Sequence, residues 1–153
     1  MLKAGSRAPK FTLQNDKGVK TSLTSLLKDG PLILYFYPAD FTPGCTREAC
    51  SIRDLHTDLV AVGLQVVGVS PQEPESHARF REEYELPFTL LSDPDKVAIR
   101  KYDVDGLLGI GVRRATFLIN EEGTIQDAVM ADIMIDRHKD FIDKAIALRE
   151  KAA

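Results

Sequence analysis

The sequence of residues 32–50 is LILYFYPADFTPGCTREAC. Its first six residues form a continuous apolar run, which is typical of a strand buried on both faces. Pro43 disfavours helical backbone at Thr42 but fits the first position of a helix, so we expect a helix that begins at Pro43 with Thr42 as its N-cap. A buried strand followed at once by a helix indicates an α/β fold, in which functional sites commonly lie at the end of such a strand.

Strand patterns alternate with helical patterns along the rest of the chain. We expect strands at 64–69, 115–119 and 124–129, and helices at 43–61, 74–84, 94–102 and 136–151. This alternation predicts a sheet with helices on both faces. Turn sequences at 120–123 and 15–18 predict an antiparallel pair late in the chain and a small N-terminal β-hairpin, respectively. The prediction is one α/β domain over residues 1–153, with a central mixed sheet flanked by helices.

The composition argues against several broad functions. The chain has 153 residues, 44% of them hydrophobic, and 20 basic against 23 acidic residues give a formal net charge of −3. A chain of this length buries roughly 68–70% of its unfolded surface and needs no disulfide framework to fold. The mild acidity argues against nucleic acid or an anionic membrane as a partner. Because we find neither a signal-peptide core nor an apolar run of about 20 residues, we expect a cytoplasmic protein, whose thiols stay reduced.

Cys45 is the third residue of the predicted helix. In a capping box this position carries a glutamate, whose charge interacts with the free amides and the positive end of the helix dipole. A thiol at this position is favoured in its ionised form, which is the nucleophile, and Thr42 and the first-turn amides are placed to stabilise developing charge. The alternative is that Cys45 is a small buried apolar side chain. Its position alone leaves both interpretations open.

Cys50 lies five residues further along the same predicted helix. The apolar stripe of that helix consists of Cys45, Ala49, Ile52, Leu55 and Leu59, so Cys50 lies on the polar face. Positions five apart in a helix have Cα atoms about 8.7 Å apart, whereas a disulfide requires less than about 7 Å. The two cysteines therefore cannot bond while the helix is intact. Cys50 is either an incidental surface thiol or a thiol that reaches Cys45 when the first turns unwind.

Other common site patterns are missing from the sequence. There is no Cys-x-x-Cys and no paired arrangement of zinc ligands. His56, His77 and His138 are scattered among helical patterns, and we expect them to be solvated surface residues. The glycine-rich residues 106–111 neither follow a strong strand nor open a helix, so we interpret them as a loop and not as a phosphate site.

The pattern Pro38-x-x-x-Thr42-x-x-Cys45 resembles the active-site motif of the peroxiredoxins. The extension to Thr42-Pro43-Gly44-Cys45-Thr46-x-Glu48-x-Cys50 is similar to the bacterioferritin comigratory protein, or Q, subclass of that family. The resemblance covers almost the whole chain and includes the segments Gly5-x-x-Ala8-Pro9-x-Phe11, Gly68-Val69-Ser70, Phe88-x-Leu90-Leu91-Ser92-Asp93 and Arg114-Ala115-Thr116-Phe117-Leu118-Ile119. It implies a thioredoxin-like fold and a thiol peroxidase that acts in antioxidant defence.

The resemblance also implies a role for each residue of the motif. Cys45 would be the peroxidatic cysteine, oxidised by peroxide to a sulfenic acid, and Arg114 would hold its thiolate. Thr42 would hydrogen-bond the thiolate and the peroxide, and Pro38 would limit access of solvent. Glu48 would orient an arginine. The substrate-binding residues would be Thr42, Pro43, Gly44, Arg114 and Glu48. We expect neighbouring Arg113 to be an ordinary surface residue, because alternation along a strand points the two arginines in opposite directions.

The remaining implications concern the catalytic cycle and its partners. Cys50 matches the resolving cysteine of members that form an intramolecular disulfide, which a thioredoxin-like protein would then reduce. Substrates would be hydrogen peroxide and organic hydroperoxides, and apolar Phe41 would favour the organic ones. No metal or organic cofactor is expected, and we expect a monomer or a weak homodimer. The alternative function is a thioredoxin-fold interaction protein or holdase with redox-sensing thiols; a thiol-disulfide oxidoreductase is disfavoured by the missing Cys-x-x-Cys.

Overall fold

A seven-stranded sheet lies at the centre of the computed structural model, which describes residues 1–152. The strands are β1 Thr12–Asn15, β2 Lys20–Ser22, β3 Leu32–Phe36, β4 Gln65–Ser70, β5 Thr89–Ser92, β6 Ala115–Ile119 and β7 Ile125–Met130. The helices are α1 Leu23–Leu27, α2 Pro43–Asp54, α3 His56–Ala61, α4 Pro74–Glu83, α5 Val97–Lys101 and α6 Asp136–Ala152, with a short 3₁₀ turn at Leu107–Gly109. The order of strands across the sheet is β2-β1-β5-β4-β3-β6-β7.

The sheet is mixed, as the sequence predicts. Strand β4 pairs in parallel with β3 and β5, whereas β6 pairs antiparallel with both β3 and β7. The predicted N-terminal hairpin is also present, because β1 and β2 pair antiparallel around a turn at residues 15–18. The α/β prediction and both hairpin predictions are therefore confirmed.

Strand β3 separates two apolar cores. Leu32, Leu34 and Phe36 point into a core shared with α5, whereas Ile33 and Tyr35 point into a second core. The second core contains residues of α2, α4 and α6, among them Cys45, Phe80 and Phe141. All five residues of β3 are buried, which is the reason for its uninterrupted apolar sequence.

Some predicted elements differ from the observed ones. The helix predicted over 43–61 is interrupted, because the Leu55 amide bonds to the Ile52 carbonyl in a tight turn that ends α2 before α3 begins. The helix predicted over 94–102 extends only over Val97–Lys101. Strand β5 and helix α1 have no counterpart in the prediction, since each spans at most five residues and is too short for a clear periodicity.

The pairing of β3 with β6 places two distant parts of the chain side by side. Phe36, the last residue of β3, is opposite Ala115, the first residue of β6. The residues that follow β3 and the residue that precedes β6, Arg114, therefore lie at the same edge of the sheet. Within residues 1–152, no helix has both the length and the apolar character needed to span a bilayer.

Candidate active site

Helix α2 begins where the sequence predicts. It starts at Pro43, and Thr42 occupies the N-cap in extended conformation, with φ −74° and ψ 148°. The hydroxyl of Thr42 does not cap the helix but donates a hydrogen bond of 3.0 Å to the carbonyl of Ala39. The first-turn amides therefore have no side-chain acceptor from the N-cap, and the positive end of the helix dipole faces the site.

Cys45 lies at the buried edge of this first turn. Only 2% of its surface is exposed, and its thiol is free. The Sγ atom lies 3.3 Å from Nη1 of Arg114, which donates to it. A thiolate at this position interacts with a fixed cation and with the helix dipole at once. The structure thus brings together Cys45 and Arg114, which lie 69 positions apart in the sequence.

Arg114 holds a second acidic group. Its Nη1 also donates to Oε1 of Glu48 at 2.7 Å, and both side chains are almost entirely buried. Burial opposes the charge of Arg114, but the charges of Glu48 and Cys45 prevail and raise its pKa above the ordinary value. The neighbouring Arg113 points elsewhere, is 46% exposed and pairs with Asp132, as strand alternation predicts.

Glu48 is satisfied on one oxygen only. Burial raises its pKa to about 7, although the charge of Arg114 acts in the opposite direction. Its second oxygen, Oε2, is buried and makes no hydrogen bond within the described residues. Nδ1 of His138 lies 3.7 Å from this oxygen. Glu48 therefore links the cysteine and arginine to a further titratable side chain.

The prediction of a solvated His138 is wrong. His138 lies in the first turn of α6, and its side chain is buried on the inner face of that helix. Its Nδ1 lies 2.8 Å from the hydroxyl of Thr116, and its Nε2 lies 2.9 Å from the carbonyl of Ala131. Burial lowers the pKa of His138 below its ordinary value. The signal was present in the sequence, because His138 begins an apolar stripe that continues through Ile142 and Ala145 at helical spacing.

The prediction of a solvated His77 is also wrong, whereas His56 is only partly buried. His77 lies in a buried polar cluster with Asp40, a residue that the sequence analysis did not single out. Its Nδ1 lies 2.7 Å from Oδ2 of Asp40, and its Nε2 lies 2.9 Å from the carbonyl of Leu91. The hydroxyl of Tyr37 donates to Oδ1 of Asp40 at 2.6 Å. This cluster ties the 38–42 loop, which precedes α2, to α4 and β5.

Close packing determines which residues fit around Cys45. A Cβ atom on Gly44 would lie 3.0 Å from Cδ1 of Ile135 and 3.2 Å from Nη2 of Arg114, so only glycine leaves the arginine undisturbed. Pro38 is half-buried. Phe41 adopts a left-handed conformation with φ 64°, and its ring packs edge-on against Phe80 while 40% of the residue stays exposed.

Cys50 is half-buried on the opposite side of α2, and its thiol is free. Both cysteines belong to one unbroken helix, Pro43–Asp54. Their separation of five helical positions excludes a disulfide in this conformation. A bond between them requires the first turns of α2 to unwind.

A groove on another part of the surface lies away from Cys45. It has a volume of about 650 Å³ and is lined by residues such as Pro31, Leu64, Leu118 and Phe141. Pro31 precedes β3 and Leu118 lies near the end of β6, so the groove lies at the end of these strands opposite Cys45. Residues 1–152 contain no cluster of three or more His, Cys, Asp or Glu side chains that would hold a metal ion.

The protein combines an α/β fold around a mixed sheet with a buried cysteine at a helix N-terminus that contacts an arginine. This combination is typical of thiol-based peroxidases. The family model described as AhpC/TSA family matches residues 4–128. The chain belongs to this family, and its activity is that of a thiol peroxidase.

Relatives of this chain with similar sequences are named peroxiredoxins. Peroxiredoxin bcp of Coxiella burnetii is 44% identical over 143 residues, which cover 90% of this chain and 93% of that protein. Peroxiredoxin Q of Gentiana triflora, a chloroplastic protein, is 39% identical over 137 residues, or 89% of this chain and 63% of that protein. The predicted resemblance to the peroxiredoxins is therefore confirmed.

Solved structures confirm the thioredoxin-like fold. The crystal structure of peroxidoxin BcpB from Mycobacterium tuberculosis has a TM-score of 0.90 and 35% identity, and the match covers 100% of this chain and 99% of that one. The bacterioferritin comigratory protein of Xanthomonas campestris, described for its alkyl peroxide reduction activity, has a TM-score of 0.81 and 30% identity over 90% of both chains.

Proposed function

We propose that Cys45 is the residue of this peroxidase that reacts with peroxide. The observation that carries the proposal is the 3.3 Å contact between its sulfur and the Arg114 guanidinium, in a buried pocket at a helix N-terminus. The ionised sulfur attacks one peroxide oxygen, an S–O bond forms and the O–O bond breaks. The sulfur loses two electrons and becomes a sulfenic acid, while the other oxygen takes up a proton and departs as water or an alcohol.

Residues around Cys45 stabilise this step in different ways. Arg114 holds the thiolate and then the charge that develops on the departing oxygen. The hydroxyl of Thr42 donates to Ala39 in the resting structure, and its oxygen is free to accept a hydrogen bond from the peroxide. Pro43 and Gly44 contribute the first turn of α2, whose amides face the substrate, and half-buried Pro38 limits access of water.

We propose that Cys50 resolves the sulfenic acid. Because the intact helix keeps the two sulfurs apart, the first turns of α2 open before Cys50 attacks Cys45, and water is released as the S–S bond forms. Local openings of this kind cost anything from near zero to the global stability of a protein. The disulfide is then reduced by a dithiol of the thioredoxin type, which returns two electrons and two protons.

The proposed substrates are hydrogen peroxide and organic hydroperoxides. The related protein of Xanthomonas campestris is described for alkyl peroxide reduction. In this chain, 40% of Phe41 is exposed in the loop that leads into α2, where it offers an apolar surface to an alkyl group. These features support organic hydroperoxides as substrates alongside hydrogen peroxide.

The proposed setting is the cytoplasm. The cycle requires a thiol reductant, and both cysteines are free in this structure, which fits a reducing compartment. We further propose a monomer or a weak homodimer, since every element of the proposed site comes from one chain. Sedimentation of the reduced protein over a range of concentrations tests this assembly state, and a concentration-independent larger species would contradict it.

A thioredoxin-coupled peroxide assay on the wild type, Cys45→Ser and Cys50→Ser tests the assignment of both cysteines. We expect no turnover with Cys45→Ser. Cys50→Ser is expected to consume one equivalent of peroxide and then to stop as a sulfenic acid. In the wild type, one equivalent of peroxide should produce the loss of two hydrogens and a peptide that links residues 45 and 50. Turnover by Cys45→Ser, or a dimer linked through Cys45, would contradict the assignment.

A further inference from the structure

One carboxylate oxygen of Glu48, Oε2, has no role in the reaction proposed above. Oε1 pairs with Arg114, but Oε2 is buried without a hydrogen bond in the part of the chain that the structure describes. A buried polar atom that lacks a partner costs about 1–3 kcal/mol, and more if it is charged. Unpaired groups of this kind are rare and call for an explanation. Oε2 lies 3.7 Å from Nδ1 of His138.

The contacts of His138 show where its protons are. Its Nε2 faces the carbonyl of Ala131 at 2.9 Å, and since a carbonyl only accepts, Nε2 carries the hydrogen. Its Nδ1 lies 2.8 Å from Oγ1 of Thr116, whose hydroxyl donates to it when the ring is neutral. The single lone pair of Nδ1 is then engaged by Thr116, so a neutral His138 offers no hydrogen-bond donor to Oε2 of Glu48, 3.7 Å away. A proton on Glu48 removes the charge that Oε2 would otherwise carry in a buried position without a donor.

The charges around Cys45 indicate when that proton is present. Arg114 contributes one positive charge, which compensates one of the two acids it contacts, Cys45 and Glu48. Ionising both of them in a buried site leaves a net negative charge that is poorly solvated. The pKa of Glu48, raised to about 7 by its burial, agrees with a carboxyl that keeps its proton beside an ionised sulfur.

The other titratable neighbours do not supply this compensation. Tyr35 of β3 also approaches Glu48, and burial raises its pKa well above the ordinary value, so it stays a neutral phenol. Asp132 and Arg137 act on His138 with opposite charges, so their effects on it oppose each other. The proton that balances the site is therefore held by Glu48.

We infer that Glu48 takes the proton that the Cys45 thiol gives up and releases it when the sulfur is oxidised. This inference rests on the proposed role of Cys45. In the first half, the S–H bond breaks and the proton moves to Oε2 of Glu48, so the net charge of the site does not change. In the second half, the ionised sulfur attacks the peroxide, the departing oxygen takes one proton, and Glu48 becomes a carboxylate. The sum is thiol plus hydroperoxide to sulfenic acid plus alcohol, with no proton taken from solution.

Infrared difference spectroscopy and proton counting test the inference. Cys50→Ser serves as the background because it is expected to stop at the sulfenic acid. Just below the pKa of Glu48, about 7, the reduced protein should show a protonated carboxyl band that disappears on addition of hydrogen peroxide. In unbuffered solution with an indicator dye, this background should take up almost no protons. Adding Glu48→Gln should abolish the band and raise the uptake to about one proton per sulfur.

Two further variants separate the role of Glu48 from general effects on the fold. Glu121→Gln removes an exposed carboxyl far from the site and should leave both readouts unchanged. His138→Gln should shift the frequency of the carboxyl band, because the imidazole 3.7 Å from Oε2 is lost. If the parent variant forms the sulfenic acid but takes up one proton and shows no band change, the inference is overturned. If it forms no sulfenic acid at all, the proposed role of Cys45 fails instead.

Discussion

One guanidinium nitrogen, Nη1 of Arg114, contacts both Cys45 and Glu48. The planar fork of arginine allows such sharing, because its N–H groups are fixed in direction, whereas the ammonium of lysine is a compact charge at the end of a flexible chain. The site therefore depends on the shape of this cation as well as on its charge.

Arg114→Lys tests this dependence. We expect kcat/KM for peroxide to fall by about 10²-fold or more, because loss of one well-placed donor to developing charge has an effect of this size. The matched control is Arg113→Lys, which changes an adjacent, half-exposed arginine that pairs with Asp132. Stopped-flow oxidation of Cys45 measures both. Equal rates for the two variants would show that Arg114 supplies only a diffuse positive field.

The raised pKa of Glu48 implies that the stability of the protein depends on pH. Its ordinary pKa is 4.5 and its folded pKa is about 7, so between these values the folded protein binds more protons than the unfolded chain. Stability contributed by this group is present below about pH 4.5 and is lost as the pH rises toward 7, by a total on the order of 3 kcal/mol. His138 has the opposite effect, because its lowered pKa makes stability rise with pH.

Urea unfolding of the wild type and Glu48→Gln isolates the contribution of Glu48. The difference in unfolding free energy between the two proteins should shift in favour of the glutamine variant by about 3 kcal/mol between roughly pH 4 and pH 8. Changes from all other groups cancel in this comparison, to the extent that they do not interact with residue 48. A difference that is constant with pH would show that folding does not shift the pKa of Glu48.

At the scale of elements, the 38–42 loop is fixed by the Asp40–His77 pair. This pair connects the loop to α4, and the bond from His77 to the Leu91 carbonyl extends the connection to β5. The loop carries Thr42 and leads into the first turn of α2, so in the proposed reaction its position determines where the peroxide meets Cys45. Breaking one partner of a buried pair leaves the other uncompensated.

Asp40→Asn and His77→Asn should each destabilise the protein by about 3–5 kcal/mol, which is typical of a buried pair that loses one member. Ser76→Ala removes only the third hydrogen bond to Asp40, at 2.8 Å, and should cost about 1 kcal/mol. Thermal or urea unfolding measures all three variants. A cost for His77→Asn no greater than that of Ser76→Ala would show that the loop is held by its apolar contacts.

Helix α2 is the element that the proposed cycle changes. Hydrogen exchange should show strong protection of residues 46–50 in the reduced protein and loss of that protection once Cys45 and Cys50 are linked, because the disulfide is incompatible with helical geometry. Helix α6 serves as the internal control and should stay protected. Unchanged protection of α2 in a protein that mass spectrometry shows to be linked would contradict the unwinding step.

The elements that sequence predicts well are those with a strong local cause. Strand β3 is an apolar run, so its extent is predicted to within one residue, and α2 starts at the predicted proline although it ends earlier than predicted. The prediction for His77 and His138 is wrong because it considers the polar type of the residue and not its spacing. His77 lies three residues before buried Phe80, which puts it on the core face of α4.

At the scale of the whole molecule, the site results from topology. Antiparallel pairing of β3 with β6 sets Phe36 opposite Ala115 and thereby brings Arg114 to Cys45. The motif around Cys45 is readable in sequence because its residues are neighbours. The proximity of Glu48 to His138 cannot be read from the sequence, because it depends on how α6 packs against α2. No local sequence pattern encodes this contact between two helices.

The interacting side chains around Cys45 belong to different parts of the molecule. Cys45 and Glu48 belong to α2, the element proposed to unwind, whereas Arg114 and Thr116 belong to the sheet region and His138 to α6. In the proposed cycle, α2 opens while the second group keeps its place and continues to present the guanidinium of Arg114 and the imidazole of His138. Each turnover then ends with a small folding reaction, in which Glu48 and Cys45 return to Arg114. Recovery of the enzyme is thus a matter of chain folding as well as of sulfur reduction.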